Sequence, residues 1–521
     1  MEYTHDNLGY WCSEAAARYP DRVGMIDLCG DDERIVTYSE LEQRLSRFAN
    51  LIVAAGLKPG DRMAMAVNNR FEFVEVMYGA MRAGIVPVPL NTKLGRETLA
   101  YIIGDSGCRV AVVEPACNPF ITQVVEQAGI EARFAFDPVP AGWQAYESAL
   151  MAHSDRFQPP PLGPDAMSFL PYTSGSTGRP KGVVLTHAGQ LWWVRAVQKY
   201  WPSEPSARTL TAVPLYHKNA MAGAIKPMLL AGGSVVILPN FEPRRFLHTL
   251  SDYRCTKAGG VPAVFTRLLQ HRDLIEQLDF SALTRLSIGS APVQEELMEA
   301  VKAAFGCDVS ESYGLTEGGP VMIGAPLDGR EAPFGSCGVA WPEGELKLLD
   351  AQGREDPHDG ELWVRNPGVT PGYYRLPEVS AKRLVDGWLA TGDLFHRDEE
   401  GFYYFRGRTD DMFNSGGENI YPKEVENLLL SHPDVDDAAV VPVPHPVKGH
   451  VPVAMVMCLP GAKVTEAALK QYCLENGPAY AHPRRIRLVQ EIPLSGAAKI
   501  DRNAVQRELE AAYSAELAQA S

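Results

Sequence analysis

Between Tyr172 and Val183 the chain runs Tyr172-Thr173-Ser174-Gly175-Ser176-Thr177-Gly178-Arg179-Pro180-Lys181-Gly182-Val183, so that four serine and threonine hydroxyls and two glycines precede one lysine. Glycine lets backbone N–H groups come close to an anion, the hydroxyls add donors and the lysine adds charge, which together make a grip for phosphate. The pattern is not the ATPase phosphate loop: five residues after Gly175 stands Pro180, and Gly182, not Ser or Thr, follows Lys181. A plain glycine-serine surface turn is the bland alternative. The strand-like run that begins at Gly182-Val183 speaks against it, because a flexible linker rarely ends in Pro-Lys-Gly and a strand.

Such a loop needs a scaffold, and 521 residues exceed one ordinary core, so at least two domains are expected. Apolar residues recur at helical spacing over 7–19 and 37–56, with Gly56 and Pro59-Gly60 as stops. A strand over 62–67, a helix over 71–84 and a strand over 85–88 follow, which is βαβ grammar. The alternation returns at 108–113, 209–213, 234–238 and 286–288, the last before a helix over 294–305. This predicts an α/β fold, a large N-terminal body of mostly parallel sheets with helices. Pro159-Pro160-Pro161 marks a subdomain junction just ahead of the loop. Beyond Arg408 the elements shorten to a helix over 422–431, strands over 437–443 and 451–458 and a helix over 465–475, a small α+β domain. The expected boundaries are 1–408 and 409–521.

Composition narrows the function. A net charge of −15 argues against a nucleic-acid surface, and no apolar run reaches the length of a membrane span. The start, Met1-Glu2-Tyr3-Thr4-His5-Asp6, is acidic where a leader would be basic, so a cytoplasmic protein is expected. Nine scattered cysteines without a C-x-x-C pair read as reduced thiols.

Four more segments join the loop: Ser310-Glu311-Ser312-Tyr313-Gly314-Leu315-Thr316-Glu317, Thr391-Gly392-Asp393-Leu394, Gly407-Arg408-Thr409-Asp410-Asp411 and Ser415-Gly416-Gly417-Glu418-Asn419-Ile420-Tyr421-Pro422. In this order and at these separations the chain resembles the adenylate-forming superfamily of acyl-CoA synthetases, peptide-synthetase adenylation domains and luciferases, over nearly its whole length.

The resemblance implies roles that residue chemistry supports. The loop Thr173 to Lys181 holds the ATP tail, with Thr177 beside the metal. Tyr313, flanked by Glu311, Ser312 and Gly314, lies against adenine. Thr316 offers a hydroxyl to the α-phosphate, and Glu317 is an oxygen ligand for Mg²⁺, which prefers carboxylates and phosphates. Gly289-Ser290-Ala291-Pro292 lines adenine and the acyl channel. Asp393, after a turn that Gly392 permits, accepts the ribose hydroxyls, or else is a turn aspartate. Arg408 contacts ribose or phosphate, or pairs with Asp411. Asp410 is the hinge.

Lys499 is the expected adenylation lysine, since carboxylate attack on the α-phosphate develops charge that one ammonium can neutralise. Its segment, Ser495-Gly496-Ala497-Ala498-Lys499, departs from the family pattern of a glycine directly before the lysine. Ser415-Gly416-Gly417 presents nothing bulky to a pantetheine arm. Lys448, Tyr480, His482, Arg484 and Arg485 are expected at the nucleotide end of CoA. In Pro214-Leu215-Tyr216-His217-Lys218-Asn219-Ala220, His217 takes the family place beside the substrate carboxylate. Lys218 and Asn219 are more polar than a pocket for a plain acid needs, so that either the acid has a polar tail or Lys218 turns to solvent or to a nearby acid. Trp192 and Trp193 would supply an apolar wall, or else are ordinary core.

These expectations describe an AMP-forming carboxylate–CoA ligase acting on a fatty or aromatic acid, with ATP, Mg²⁺ and CoA, no nucleic-acid or membrane partner and a homodimer left open. A stand-alone acyl-AMP ligase that loads a carrier protein is the nearest alternative, and a luciferase-like oxidase shares the fold. From another class, a nucleotide-binding sensor without catalysis is opposed by the presence together of Lys181, Glu317, Asp393 and Lys499.

Overall fold

In the computed structural model the described residues are 6–173, 179–289, 293, 295–409, 411–415, 418–459, 461–494 and 500–519. The chain forms two compact units. The first takes Met1–Leu346, Trp363–Ala390 and Glu400–Tyr403, and the second takes Lys347–Leu362, Thr391–Glu399 and Tyr404–Ser521.

In the first unit the amphipathic run becomes the helix Tyr38–Ala54. Thr37 caps it by accepting from the Glu40 N–H at 3.2 Å, and Leu41, Leu45, Phe48 and Ile52 turn one stripe into the core. It ends where Gly56 adopts φ +87°. The neighbouring helix Phe71–Arg82 is buried on every face, and Gly79 lets it approach closely, since a Cβ there would come within 2.9 Å of Phe48. The stretch expected as one helix over 7–19 is instead a 3₁₀ turn, Leu8–Tyr10, and a helix, Ser13–Arg18. The break follows from packing. Gly9 presses on Arg82, where a Cβ would meet backbone nitrogen at 2.5 Å, and the Leu8 N–H donates to His187 Nδ1 at 2.9 Å.

The expected mostly parallel sheets are present. One runs Val86–Pro89, Arg62–Ala66, Val110–Val113, Ala132–Ala135 and Gln144–Ala145, all parallel. The other has the order Asp308–Glu311, Arg285–Ile288, Lys257–Gly260, Arg208–Thr211, Ser234–Ile237, Val23–Asp27 and Arg34–Thr37, with only the last antiparallel. Its register sets Ile288 beside Glu311. The segments after Glu311, Ile288 and Thr211 therefore leave the carboxyl ends of parallel strands in one sheet, the edge at which open α/β sheets bind ligands.

The second unit is α+β. Val435–His445 and Gly449–Cys458 form a long hairpin, Arg485–Val489 adds parallel to the latter, and Phe413–Ser415 joins at Ser415–Gly449. The helices Pro422–Leu430 and Glu466–Asn476 belong to this unit, as does Arg502–Gln519. Two apolar clusters, one around Leu429 and Ile486 and one around Val441 and Leu509, fill it.

Candidate active site

The phosphate-loop flanks are built as a two-strand ladder in which Lys181 pairs with Thr173 and Gly182 with Tyr172. Ser174, Gly175, Ser176, Thr177 and Gly178 lie outside the described residues, but the ladder fixes both ends of the loop. The segment Thr370–Tyr374 buttresses it. Thr370 Oγ1 donates to the Val184 carbonyl at 2.6 Å, and the Tyr374 N–H donates to the Gly182 carbonyl at 2.8 Å. Lys181 Nζ lies 5.8 Å from the centre of the Tyr373 ring.

Glu317 meets this ladder. Its Oε1 accepts from the Tyr373 hydroxyl at 3.2 Å and from Thr173 Oγ1 at 3.5 Å, and its carbonyl accepts from the Thr370 N–H at 2.6 Å. On the next residue back, the Thr316 carbonyl accepts from Lys218 Nζ at 2.6 Å. Lys218 thus ties the segment leaving Thr211 to the one leaving Glu311. Burial pushes the Lys218 ammonium down to about 7, against the opposing pull of the Glu317 carboxylate. The Lys218 ammonium thus meets a backbone carbonyl, with the Glu317 carboxylate close enough to be felt. His217 stands at the start of the short helix Lys218–Ala220, its ring 4.6 Å from that of Tyr216. The Asn219 side chain is outside the described set.

Tyr313 begins the strand Tyr313–Leu315, which with Gly314 pairs antiparallel to Gly319–Gly324. Ser312 links it to Glu311, whose carboxyl burial pushes up to about 7 against a backbone N–H from Val293. Ser290, Ala291 and Pro292 lie outside the described residues. Trp192 is half-buried on the helix His187–Tyr200 and donates to Glu343 at 2.9 Å, whereas Trp193 is buried.

In the second unit, Gly392 has φ +75° and Asp393 follows it, 8% exposed, with Oδ1 2.8 Å from Arg408 Nη1. Asp411 instead pairs with Arg502 at 3.4 Å. The sequence offered Asp411 as an ion-pair partner for Arg408 and gave no sign of Asp393. Ser415 is buried, and Lys448 is exposed one residue before its strand partner Gly449. His482 and Arg484 lie close in the same unit, where the Arg484 N–H donates to the Pro452 carbonyl at 2.7 Å and Tyr480 is exposed. Arg485 is taken up by Glu466 at 3.1 Å and Glu516 at 2.6 Å. Asp410, Gly416, Gly417 and Lys499 lie outside the described residues.

Tyr373 and Thr370 were not anticipated. Their signal is Gly372-Tyr373-Tyr374, an aromatic pair directly after a glycine in a loop, too short to separate from ordinary core. Nor was Lys226, a single lysine inside an apolar run. All nine cysteines are free, three of them buried, and among the described residues no helix is long and apolar enough to cross a membrane.

Comparison with known proteins agrees with this geometry. The AMP-binding enzyme family matches residues 12–374, and the AMP-binding enzyme C-terminal domain matches 424–499. Feruloyl-CoA synthase from Amycolatopsis sp is 34% identical over 474 residues, covering 91% of this chain and 94% of that protein. Sulfoacetate–CoA ligase from Cupriavidus necator is 32% identical over 504 residues, with 95% and 97% covered. The crystal structure of ATP-bound MatB from Rhodopseudomonas palustris superposes with a TM-score of 0.88 at 29% identity, covering 98% of this chain and all of that one. The chain therefore belongs to the AMP-binding enzymes of the adenylate-forming superfamily and is an AMP-forming acid–CoA ligase.

Proposed function

We propose that the chain activates a fatty or aromatic acid as an acyl-adenylate and passes the acyl group to CoA. The carrying observation is the alternation of charge around Glu317: Lys181 above the Tyr373 ring on one side, Lys218 on the Thr316 carbonyl on the other, with the carboxylate anchored by the Tyr373 hydroxyl. An acid carboxylate near His217 attacks the α-phosphorus, pyrophosphate leaves, and the CoA thiol then displaces AMP from the acyl carbonyl. Lys181 and the loop hydroxyls bind the phosphates, Thr316 steadies the α-phosphate, and Lys499 neutralises the charge of the first step. Tyr313 stacks on adenine and Asp393 with Arg408 holds the ribose. Lys448, Tyr480, His482 and Arg484 meet CoA beside Ser415, and Asp410 turns between the two steps.

Among the described residues no group of three or more His, Cys, Asp and Glu side chains could cage a metal. One anchored carboxylate, Glu317, suits Mg²⁺ arriving with ATP, because that ion binds through one or two carboxylates plus substrate phosphates. Bound there, it would offset phosphate charge. The free cysteines support a reducing, cytoplasmic setting.

The test is pyrophosphate release from ATP, Mg²⁺ and pooled acids, with and without CoA. Release with a CoA thioester as product is expected. Release without thioester would turn the reading to carrier loading, and no release with any acid would turn it to a nucleotide sensor.

A further inference from the structure

Eight residues beyond Lys218, a second lysine is shut inside the first unit. Lys226 is 1% exposed and opens the helix Lys226–Ala231. Its Nζ donates to Gln190 Oε1 at 2.8 Å and lies 5.1 Å from the centre of the Trp193 ring. Among the described residues no carboxylate pairs with it. Burial drives its ammonium well below the ordinary lysine range, and the charge of Lys218 acts in the same direction.

The groups around it are also donors. Gln190 and Trp193 are each 1% exposed, and Gln190 Nε2 and Trp193 Nε1 have no hydrogen-bond partner among the described residues. Trp341, packed in one cluster with Trp193 and Ala222, likewise leaves Nε1 unpartnered. Buried polar groups are normally satisfied, so a lysine whose described partner is one neutral amide oxygen, beside an amide N–H and an indole N–H that have none among the described residues, forms a site short of acceptors. A structural lysine would more simply be matched by a carboxylate, or replaced by an apolar residue at no loss of stability.

The backbone between the lysines is also irregular. Met221–Ile225 is a π-helical turn, a feature that concentrates at functional sites. Val321, on the strand that follows Glu317, packs against the Trp193 cluster. Val194, Ala196 and Ala222 share that cluster with the two indoles, so the donors sit among apolar neighbours.

We propose that Lys226, with Gln190 and Trp193, reads the far end of the substrate acid, and that this end carries a second carboxylate. The inference rests on the acid pocket lying along the His217 segment. Of oxygen-bearing tails, a carboxylate answers the surplus best, because it brings a negative charge for the ammonium and two oxygens for the amide and indole donors.

The test compares kcat/KM for adenylation of short, medium and long α,ω-dicarboxylic acids with that of the matched monocarboxylic acids, read by pyrophosphate release, in wild type, Lys226→Met and Gln190→Leu. In wild type the best diacid should exceed its matched monoacid. In Lys226→Met that preference should fall roughly 10- to 100-fold, the value of a hydrogen bond to a charged group, and Gln190→Leu should lower it less. A wild type that prefers the monoacid at every length overturns the proposal without touching the ligase reading. So does a preference that survives both substitutions. If Lys226→Met does not fold, the wild-type ratio and Gln190→Leu decide alone. Failure with every acid, mono or di, would instead count against the ligase reading itself.

Discussion

Lys218→Met should make the protein more stable and less active, with a stability gain that is full below neutral pH and shrinks steadily above it. In the folded chain, burial brings the Lys218 ammonium from 10.5 down to about 7. The unfolded chain keeps its proton up to the ordinary lysine value, so between these limits it binds more protons than the folded one. Wild-type stability therefore rises as pH climbs from about 7 towards 10.5, and the whole penalty is present below 7. A depression of that size corresponds to roughly 4–5 kcal/mol. Losing the bond to the Thr316 carbonyl returns about 1 kcal/mol, which leaves a net gain of roughly 3 kcal/mol below pH 7. For a chain this long that is a rise of a few degrees in Tm. The assay is thermal unfolding of both proteins from pH 6 to pH 9.5, with pyrophosphate release measured in parallel. Activity should fall because the cation beside Glu317 is gone. A Tm difference that does not shrink above pH 7 would refute the assignment of a depressed ammonium, and undiminished activity would remove Lys218 from the site.

Glu311 has the opposite sign: burial raises its carboxyl to about 7, so its cost is full above that pH and gone below 4.5, and Glu311→Gln should raise Tm at pH 8 but not at pH 4.5. Equal shifts at both values would reject the buried carboxyl. Tyr373→Phe removes the hydroxyl that holds Glu317 at 3.2 Å and leaves, among the described residues, the long Thr173 hydrogen bond to that carboxylate, so adenylation should fall roughly tenfold or more. A change below twofold would return Tyr373 to a packing role. Lys499→Ala should cut adenylation by roughly 10²-fold while thioester formation from supplied acyl-adenylate largely survives. Equal loss in both half-reactions, with the fold intact, would take Lys499 out of the first step.

What could be read in the sequence and what could not divide along the range of the interactions. Helix Tyr38–Ala54 was legible because its cap, its apolar stripe and its stop all lie within twenty residues of one another. Thr173, Lys181 and Glu317 were legible as polar and charged residues in loops, of types that suit a phosphate and a hard cation. Their mutual support was not. Tyr373 reaches Glu317 across 56 residues and Thr370 reaches Val184 across 186, and no local pattern encodes such pairings. The ambiguity of Arg408 was of this kind, because Asp411 is its neighbour in sequence while Asp393 is its partner in space.

Lys226 is the sharpest instance. In sequence it is one lysine between Ile225 and Pro227, indistinguishable from a solvated helix residue, and Gln190 and Trp193 look equally ordinary thirty-odd residues earlier. Only when the helices His187–Tyr200 and Lys226–Ala231 pack together do the three become a buried group with more donors than acceptors. Hydrogen-bond balance is a property of a packed volume, not of a motif. The loops that resemble those of the AMP-binding enzymes therefore point to a reaction, whereas the reading of the acid that we propose rests on a balance no loop motif carries.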